Sequence, residues 1–401
     1  MEQEIKYLSS LHLDLLKDLT FNYEENSTLV LDLVTVMAAI FREDVHTKKY
    51  SKPRVIQLII PVFNPVIWTS SVRKVEELTR WVSGDTFKFS FIKTPFTFDG
   101  FMSRLELPSS NAVTLFSGGL DSFCGAFHNL ANGIKSDYVG FINKGEERTK
   151  QEAVATFYKG IFDDTTEIIL VEKPFQRKEY FVQSTRSLLY LALSIAKAFF
   201  NKSNDVYLYE NGILSLNPEL KNRYTTKTTH PRTIFLYHEL LSGIGIALNI
   251  HHPFLFKTKG EIINSLNLTF KKAIKKTFTC GQSRTNPERN HHGQCGICIP
   301  CLLRKISLAA YDNEKFDVEY QYGYEIKPSD ISEDVYRKDY ISNLDYFKTY
   351  VGLIRAGNAH LEIKTREKYY KGIPDFREKN QEMFNKFSEE YERFLIKYAP
   401  D

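Results

Sequence analysis

The chain has 401 residues, of which 42% are hydrophobic and 25% charged, and these fractions are typical of a globular protein with roughly two to three domains. A formal net charge of +4 is too small to indicate a nucleic-acid partner, and the longest apolar stretch, residues 187–200, contains Lys197 and is too short to cross a bilayer. The start of the chain does not resemble a signal peptide, so we expect a cytoplasmic protein whose five cysteines serve metal binding or catalysis rather than disulfides.

Residues 1–108 are predicted to form an N-terminal accessory α+β domain. The spacing of apolar residues predicts three helices and two strands, in the segments 11–19, 29–41 and 72–82 for the helices and 54–61 and 87–91 for the strands. The segment contains no phosphate-binding loop and no metal-ligand cluster. We therefore expect this domain to act as a scaffold or an interaction surface.

A strand, a glycine loop and a helix are predicted next, over residues 112–131. Ala112–Phe116 has the short apolar pattern of a buried parallel strand, and apolar residues from Leu120 onward lie on one helical face. Such a turn points free backbone N–H groups and the positive end of the helix dipole at one place, which favours a bound phosphate. The alternative is a glycine turn that starts a helix and binds no ligand.

The residues of this loop match the signature of the PP-loop ATP pyrophosphatases: Ser117, Gly118, Gly119, Leu120, Asp121 and Ser122. No Gly-Lys-Ser/Thr follows, so the loop is not the common P-loop. The resemblance implies that the loop holds the β,γ-pyrophosphate of ATP while a nucleophile attacks the α-phosphorus. We expect the Asp121 carboxylate to help hold Mg²⁺ against the phosphates.

Strands and helices alternate over residues 109–275, which predicts a doubly wound parallel sheet. The predicted strands are 112–116, 138–142, 167–171 and 206–210, and the predicted helices are 120–131, 150–159 and 185–200. Ligands of such sheets lie beyond the carboxyl ends of the strands. This rim is where we expect the site.

Several polar residues near this rim are candidates for substrate binding. Glu210 and Asn211 follow the fourth strand and are suited to reading a base or an amide edge, whereas His230 and Arg232 are suited to an anionic group. Arg186, near the start of a helix, is a candidate phosphate ligand. The alternative for all of them is an ordinary capped loop or a solvated helix start.

Four cysteines, Cys280, Cys295, Cys298 and Cys301, have a spacing that suits a tetrahedral structural zinc. A closed Cys₄ shell leaves no ligand position for water, so Zn²⁺ there is expected to brace the fold rather than to catalyse. Two alternatives stay open: an iron–sulfur cluster, and substitution of a cysteine by His291 or His292. The fifth cysteine, Cys124, is predicted to pack in the core.

Taken together, three features resemble the 7-cyano-7-deazaguanine synthases (QueC) over about 109–310: the loop at 117–122, the stretch Thr258-Lys259-Gly260-Glu261, and the four cysteines running into Leu302-Leu303-Arg304. Residues 82–91 resemble a segment of QueC-like proteins from bacterial anti-phage defence loci. The resemblance implies a PP-loop domain at 109–312 with a zinc knuckle at 280–301. It also implies ATP at the loop, Lys259 at the active-site rim, and adenylation of a 7-deazaguanine-type carboxylate.

The chain departs from this family in having the leading segment 1–108 and a trailing segment 313–401, in which helices are predicted over 334–353 and 376–398. Acidic and basic residues balance in the trailing segment, which favours a packed helical cap or partner surface over RNA binding. These additions favour a ligase that joins a heterocyclic carboxylic acid to an amine on a partner protein. An ammonia-using synthase and a non-catalytic nucleotide-binding regulator are the alternatives, and a homodimer is left open.

Overall fold

The structure is a computed structural model, and it describes residues 27–47, 53–95, 111–142, 145–163, 165–172, 183–220, 225–281 and 293–399. The predicted helix at 11–19 and the alternative ligands His291 and His292 lie outside these residues. The strands are β1 (Val55–Val62), β2 (Thr86–Lys93), β3 (Ala112–Leu115), β4 (Ser136–Ile142), β5 (Ile168–Glu172), β6 (Asp205–Tyr207) and β7 (Asn249–His251). The helices are α1 (Ser27–His46), α2 (Pro65–Ser70), α3 (Val72–Ser83), α4 (Leu120–Ala131), α5 (Gly145–Lys159), α6 (Arg186–Phe200), α7 (Gly212–Ser215), α8 (Pro231–Gly243), α9 (Lys259–Asn264), α10 (Leu268–Ala273), α11 (Ile299–Ala309), α12 (Asp334–Arg355), α13 (Ala359–Glu362) and α14 (Phe376–Tyr398).

A five-stranded sheet, in which every pairing is parallel, forms the centre of the fold, with the order β5-β4-β3-β6-β7. Every residue of β4 is buried, as expected for a strand covered on both faces. The chain moves outward from β3 through β4 to β5, and then returns to the other side of β3 for β6 and β7. This reversal creates a topological switch point between the carboxyl ends of β3 and β6, where open α/β sheets bind their ligands.

The predicted α/β fold class with a doubly wound parallel sheet is confirmed, and the differences lie at the ends of elements and at one edge strand. The predicted strand 206–210 ends at Tyr207, because the next residues leave the sheet to form the rim. The edge strand β7 was not predicted. It has three residues with Ile250 as its one apolar member, so it carries no periodic signal.

The N-terminal part, residues 27–95 among those described, forms a second, two-stranded sheet. Its strands β1 and β2 pair in parallel with Val55 opposite Thr86, so this part is α/β in character. Helix α1 is mostly apolar, and residues 30–38 are buried on every side. Its side chains share one hydrophobic core with β1, β2, the central sheet and α6.

A second hydrophobic core joins the four cysteines to the C-terminal helices. It contains side chains of α11 and of α12 and α14, including Leu302, Phe347 and Phe387. Helices α12 and α14 carry their buried aromatic residues along one face, as the sequence pattern indicates. The core is continuous across residue 312, and the division of the chain into domains at 108 and 312 stays a prediction.

Gly125 provides a test of how closely α4 packs against the segment that follows β6. A Cβ atom at Gly125 would lie 2.2 Å from Cγ of Tyr209, so Gly125→Ala should lower the free energy of unfolding by about 1–3 kcal/mol through overpacking. The matched control is Gly352→Ala in α12, where a Cβ meets nothing within 4 Å. There the better helix propensity of alanine should raise stability by about 0.5–1 kcal/mol. Urea unfolding of both variants measures the two changes in the free energy of unfolding. If both changes had the same sign, the close contact of Gly125 with Tyr209 would be contradicted.

Candidate functional site

The loop between β3 and α4 turns sharply at the start of the helix. Gly118 has φ of +72°, and a Cβ on it would lie 2.7 Å from Cγ of Gln151, so only glycine fits without movement of the neighbouring helix. The backbone N–H of Phe278 donates to the Gly118 carbonyl at 3.2 Å. The exposed Ser117 hydroxyl lies 3.1 Å from the Ser122 hydroxyl. The loop thus presents a helix N-terminus and a solvent-facing hydroxyl at the carboxyl end of β3.

Asp121, in the first turn of α4, is the centre of a charged cluster. Its Oδ2 atom accepts a hydrogen bond from Nζ of Lys259 at 2.7 Å and from Nδ2 of Asn211 at 3.0 Å. Burial by itself raises the pKa of Asp121, but the charge of Lys259 and the adjacent Glu210 and Asn211 side chains outweigh burial, and the pKa lies below its usual value. Asp121 is therefore a carboxylate at neutral pH.

The second oxygen of this carboxylate has an unusual environment. Oδ1 of Asp121 is buried and accepts a hydrogen bond from none of the described residues, while the Glu210 side chain lies beside the same carboxyl. Two adjacent carboxyl groups supply the oxygen ligands that a hard cation prefers. This donor set fits Mg²⁺, with Asp121 and Glu210 as the residues that would hold it.

Glu210 and Asn211 are positioned by the end of β6. The Asn211 Oδ1 atom accepts from the backbone N–H of Leu214 at 3.1 Å and so caps α7, while its Nδ2 atom lies 3.2 Å from the Glu210 carboxylate. The two loops that follow β3 and β6 therefore meet at the topological switch point. The sequence predicted that these residues lie on one rim, and the structure brings them into contact.

His252, directly after β7, was missed by the sequence analysis. Its Nε2 atom lies 2.9 Å from the Glu210 carbonyl, and its Nδ1 atom is buried and bonded to none of the described residues. Burial lowers the pKa of His252 to about 4, so the ring is neutral and Nδ1 is left with a lone pair when Nε2 carries the proton. A His-His pair after an apolar residue was the available signal, but β7 itself was too short to place it.

Three other predicted residues make contacts away from Asp121. The His230 Nδ1 atom accepts from the Arg232 backbone N–H at 3.0 Å, and Nε2 lies 2.8 Å from the Ile363 carbonyl. The Arg232 guanidinium lies 4.3 Å above the Trp81 ring. Arg186 is the first residue of α6 and follows Thr185, whose backbone N–H donates to Asp44. The roles of Arg186, His230 and Arg232 in binding stay predictions.

The four predicted zinc ligands converge on one buried point. The sulfur atoms of Cys280, Cys295, Cys298 and Cys301 all lie within 4.8 Å of one another. A tetrahedral Zn²⁺ with bonds of about 2.3 Å requires sulfur atoms about 3.8 Å apart, which this set approaches. Backbone N–H groups of Gly281 and Ile297 donate to two of the sulfurs at 3.3 and 3.4 Å. The group is consistent with a closed Zn²⁺ site.

The comparisons with known proteins do not extend this description: no protein-family model matches the chain, and no curated protein matches it. What the fold and the site define is a Rossmann-like parallel α/β protein, compatible with nucleotide binding, with a buried four-cysteine group that is consistent with a Zn²⁺ site. Among the described residues, no helix is both long enough and apolar enough to cross a membrane.

Removal of one cysteine tests the metal site. Purified protein should carry about one zinc per chain, and Cys298→Ser should lower both the zinc content and the melting temperature, because zinc binding contributes folding free energy. The control is Cys124→Ala: Cys124 is buried in α4 outside the cluster, so this variant should keep its zinc. Metal analysis and thermal melts measure both. Iron with a visible charge-transfer spectrum would instead establish an iron–sulfur cluster.

The buried charge cluster generates a second test. The side chains of Lys259 and Asp121 are 2% and 8% exposed, so Lys259→Met should lower the free energy of unfolding by about 3–5 kcal/mol by leaving a buried carboxylate unpaired. The double variant Asp121→Asn with Lys259→Met removes both charges and should recover a large part of this loss. Denaturant unfolding of both single variants, Asp121→Asn and Lys259→Met, and of the double variant gives the coupling energy. Additive losses would show that the pair does not stabilise the fold.

Proposed function

We propose that the protein is a QueC-like, ATP-dependent ligase of the PP-loop type. It adenylates a 7-deazaguanine-type carboxylic acid, releases pyrophosphate, and transfers the acyl group to an amine on a partner protein in anti-phage defence. The observation that carries this proposal is the contact of the Ser117–Ser122 loop with Glu210, Asn211 and Lys259 at the topological switch point of a parallel sheet. We propose a cytoplasmic location for the protein.

In the first step, a carboxylate oxygen of the acid attacks the α-phosphorus of ATP. The new bond joins this oxygen to phosphorus, and the bond from phosphorus to the bridging oxygen breaks so that pyrophosphate leaves. The N–H groups at the start of α4 and the exposed Ser117 hydroxyl are suited to holding the leaving pyrophosphate. Mg²⁺, held by Asp121 and Glu210, would supply charge neutralisation at the phosphates.

In the second step, an amine nitrogen attacks the carbonyl carbon of the acyl adenylate. An amide bond forms, AMP leaves with the electron pair of the broken bond, and the amine loses a proton. Splitting the reaction in this way turns a poor leaving group into a good one. We assign Lys259 to the developing negative charge and the neutral His252 Nδ1 to a substrate N–H donor, because both groups lie at the Glu210 rim.

The reaction is tested with purified protein, ATP, Mg²⁺ and 7-carboxy-7-deazaguanine. The products should be AMP and pyrophosphate, and Ser117→Ala and Asp121→Asn should each lower AMP formation by about 10²-fold, since each removes a group that contacts the phosphates or their cation. Lys338→Ala, on the exposed surface of α12, is the control and should leave the rate unchanged. Formation of ADP and phosphate would exclude the pyrophosphatase mechanism.

The acceptor is identified in the same assay by supplying either ammonium or candidate partner proteins. The ligase proposal expects a mass increase on a protein that equals the mass of the carboxylic acid minus one water. A free nitrile formed with ammonium, with no mass added to any protein, would identify a synthase. ATP binding without AMP formation under all these conditions would identify a nucleotide-binding regulator.

A further inference from the structure

The C-terminal helix α14 contacts the start of α9, the short helix that opens with Lys259. Two α14 side chains one turn apart, Lys386 and Glu390, point toward it. Nζ of Lys386 lies 2.7 Å from Oε1 of Glu261, and the Thr258 hydroxyl donates to the Glu390 carboxyl. A helix that begins 117 residues after Lys259 in sequence (376 minus 259) therefore touches the residues on both sides of Lys259.

The two residues that α14 contacts form the capping box of α9. The Thr258 hydroxyl accepts from the Glu261 backbone N–H at 3.1 Å, and the Glu261 carboxylate accepts from the Thr258 backbone N–H at 2.9 Å. Both members of the box are thus held by α14, through Glu390 and Lys386. The residue enclosed by this box, Lys259, donates to Asp121.

The packing leaves no room for a side chain at the two glycines of this contact. A Cβ on Gly260 would lie 2.4 Å from Oε1 of Glu390, and a Cβ on Gly212 would lie 2.1 Å from Sδ of Met383. Gly212 follows Asn211, the other hydrogen-bond donor to Asp121. Helix α14 therefore packs directly against both segments that supply partners to Asp121.

Glu390 is 1% exposed and faces the acidic Glu261 of α9, the neutral Tyr311 after α11, and the basic Lys386 and Arg393 of its own helix. Burial raises the pKa of Glu390 to about 8, with a further increase from the Glu261 charge, against hydrogen bonds from Thr258 and Tyr311 and the charge of Arg393, which lower it. The carboxyl is therefore neutral at pH 7 and tolerates its buried contact with Thr258.

We propose that Glu390 is a positioning residue of the candidate site: through Thr258 and Gly260 it holds Lys259 against Asp121, which makes α14 a structural part of the site. The effect of this positioning on catalysis rests on the proposed adenylation. The positioning of Lys259 itself rests on the contacts alone.

The test compares Glu390→Gln and Glu390→Ala in the full chain. Glutamine keeps a neutral hydrogen-bonding group, so AMP formation should stay within about twofold of the unmodified protein. Alanine removes the contact with Thr258, and kcat should fall by about tenfold or more while KM for ATP stays within about threefold, because a misplaced Lys259 affects the transition state. The control is Glu389→Gln, whose side chain is 65% exposed and pairs with Arg393 on the same helix. It should behave as the unmodified protein.

A pH profile separates positioning from simple structural support. The pKa of Glu390 is raised to about 8 in the folded protein. The contribution of Glu390 to the stability of the fold is therefore complete at a pH below the ordinary carboxyl range, and it is lost as the pH rises through about 8. The unmodified protein should therefore lose AMP-forming activity above this pH. Glu390→Gln has no ionisable group there and should show a smaller loss.

Amide exchange of residues 258–264 provides a readout that needs no activity. In Glu390→Ala these amides should exchange about tenfold faster or more than in Glu389→Gln. If the unmodified protein forms no AMP, the proposed reaction fails, and the exchange comparison still decides the positioning. Unchanged exchange in Glu390→Ala would overturn the inference. If the alanine variant does not fold, amide exchange of residues 258–264 is measured against pH in the unmodified protein and in Glu390→Gln. The same pH dependence in both proteins would overturn the inference.

Discussion

The ion pair between Asp121 and Lys259 is the contact on which the candidate site depends. Its two members are 138 residues apart in sequence, and both are almost fully buried. A carboxylate in such surroundings is stable only if a cation and hydrogen-bond donors reach it, because removing a charge from water is costly. The fold meets this requirement by bringing the segments after β3, β6 and β7 to one point. The same contact therefore defines the site and constrains the packing around it.

The four-cysteine site supports the loop through a short chain of contacts. Cys280 lies two residues after Phe278, whose N–H donates to Gly118, and buried Arg304 holds the same segment through Thr277 and Thr279 at 2.7 and 3.1 Å. Burial raises the pKa of the Cys298 and Cys301 thiols, so a cation held among the sulfurs would be needed to stabilise them as thiolates. A Zn²⁺ ion held by the four sulfur atoms would therefore order the backbone that contacts the glycine loop.

The N-terminal part is attached to the central domain by a buried polar contact as well as by the shared core. Asp44 at the end of α1 accepts from the Thr185 backbone N–H and hydroxyl, both at 2.9 Å, where α6 begins. Arg54 bridges Asp44 to Asp85, which lies just before β2. Every buried charge here has a partner of the opposite sign or a hydrogen-bond donor. The geometry fixes the start of α6 relative to the small sheet.

Local signals in the sequence determine most of the helices and strands of this protein and the classes of ligand that it is predicted to bind. Apolar runs and 3.6-residue spacing specify β4, α4 and α14, and the loop 117–122 and the four cysteines are recognisable because their chemistry needs those residues at short spacing. Tertiary structure alone decided the contacts of Asp121 with Lys259 and of Glu390 with Thr258, since partners 138 and 132 residues apart leave no trace in a local pattern. Tertiary structure likewise places His230 against the Ile363 carbonyl and Arg232 over the Trp81 ring. The type of a side chain does not reveal which neighbour it contacts. The neutral state of His252 follows from burial, and burial depends on the whole fold.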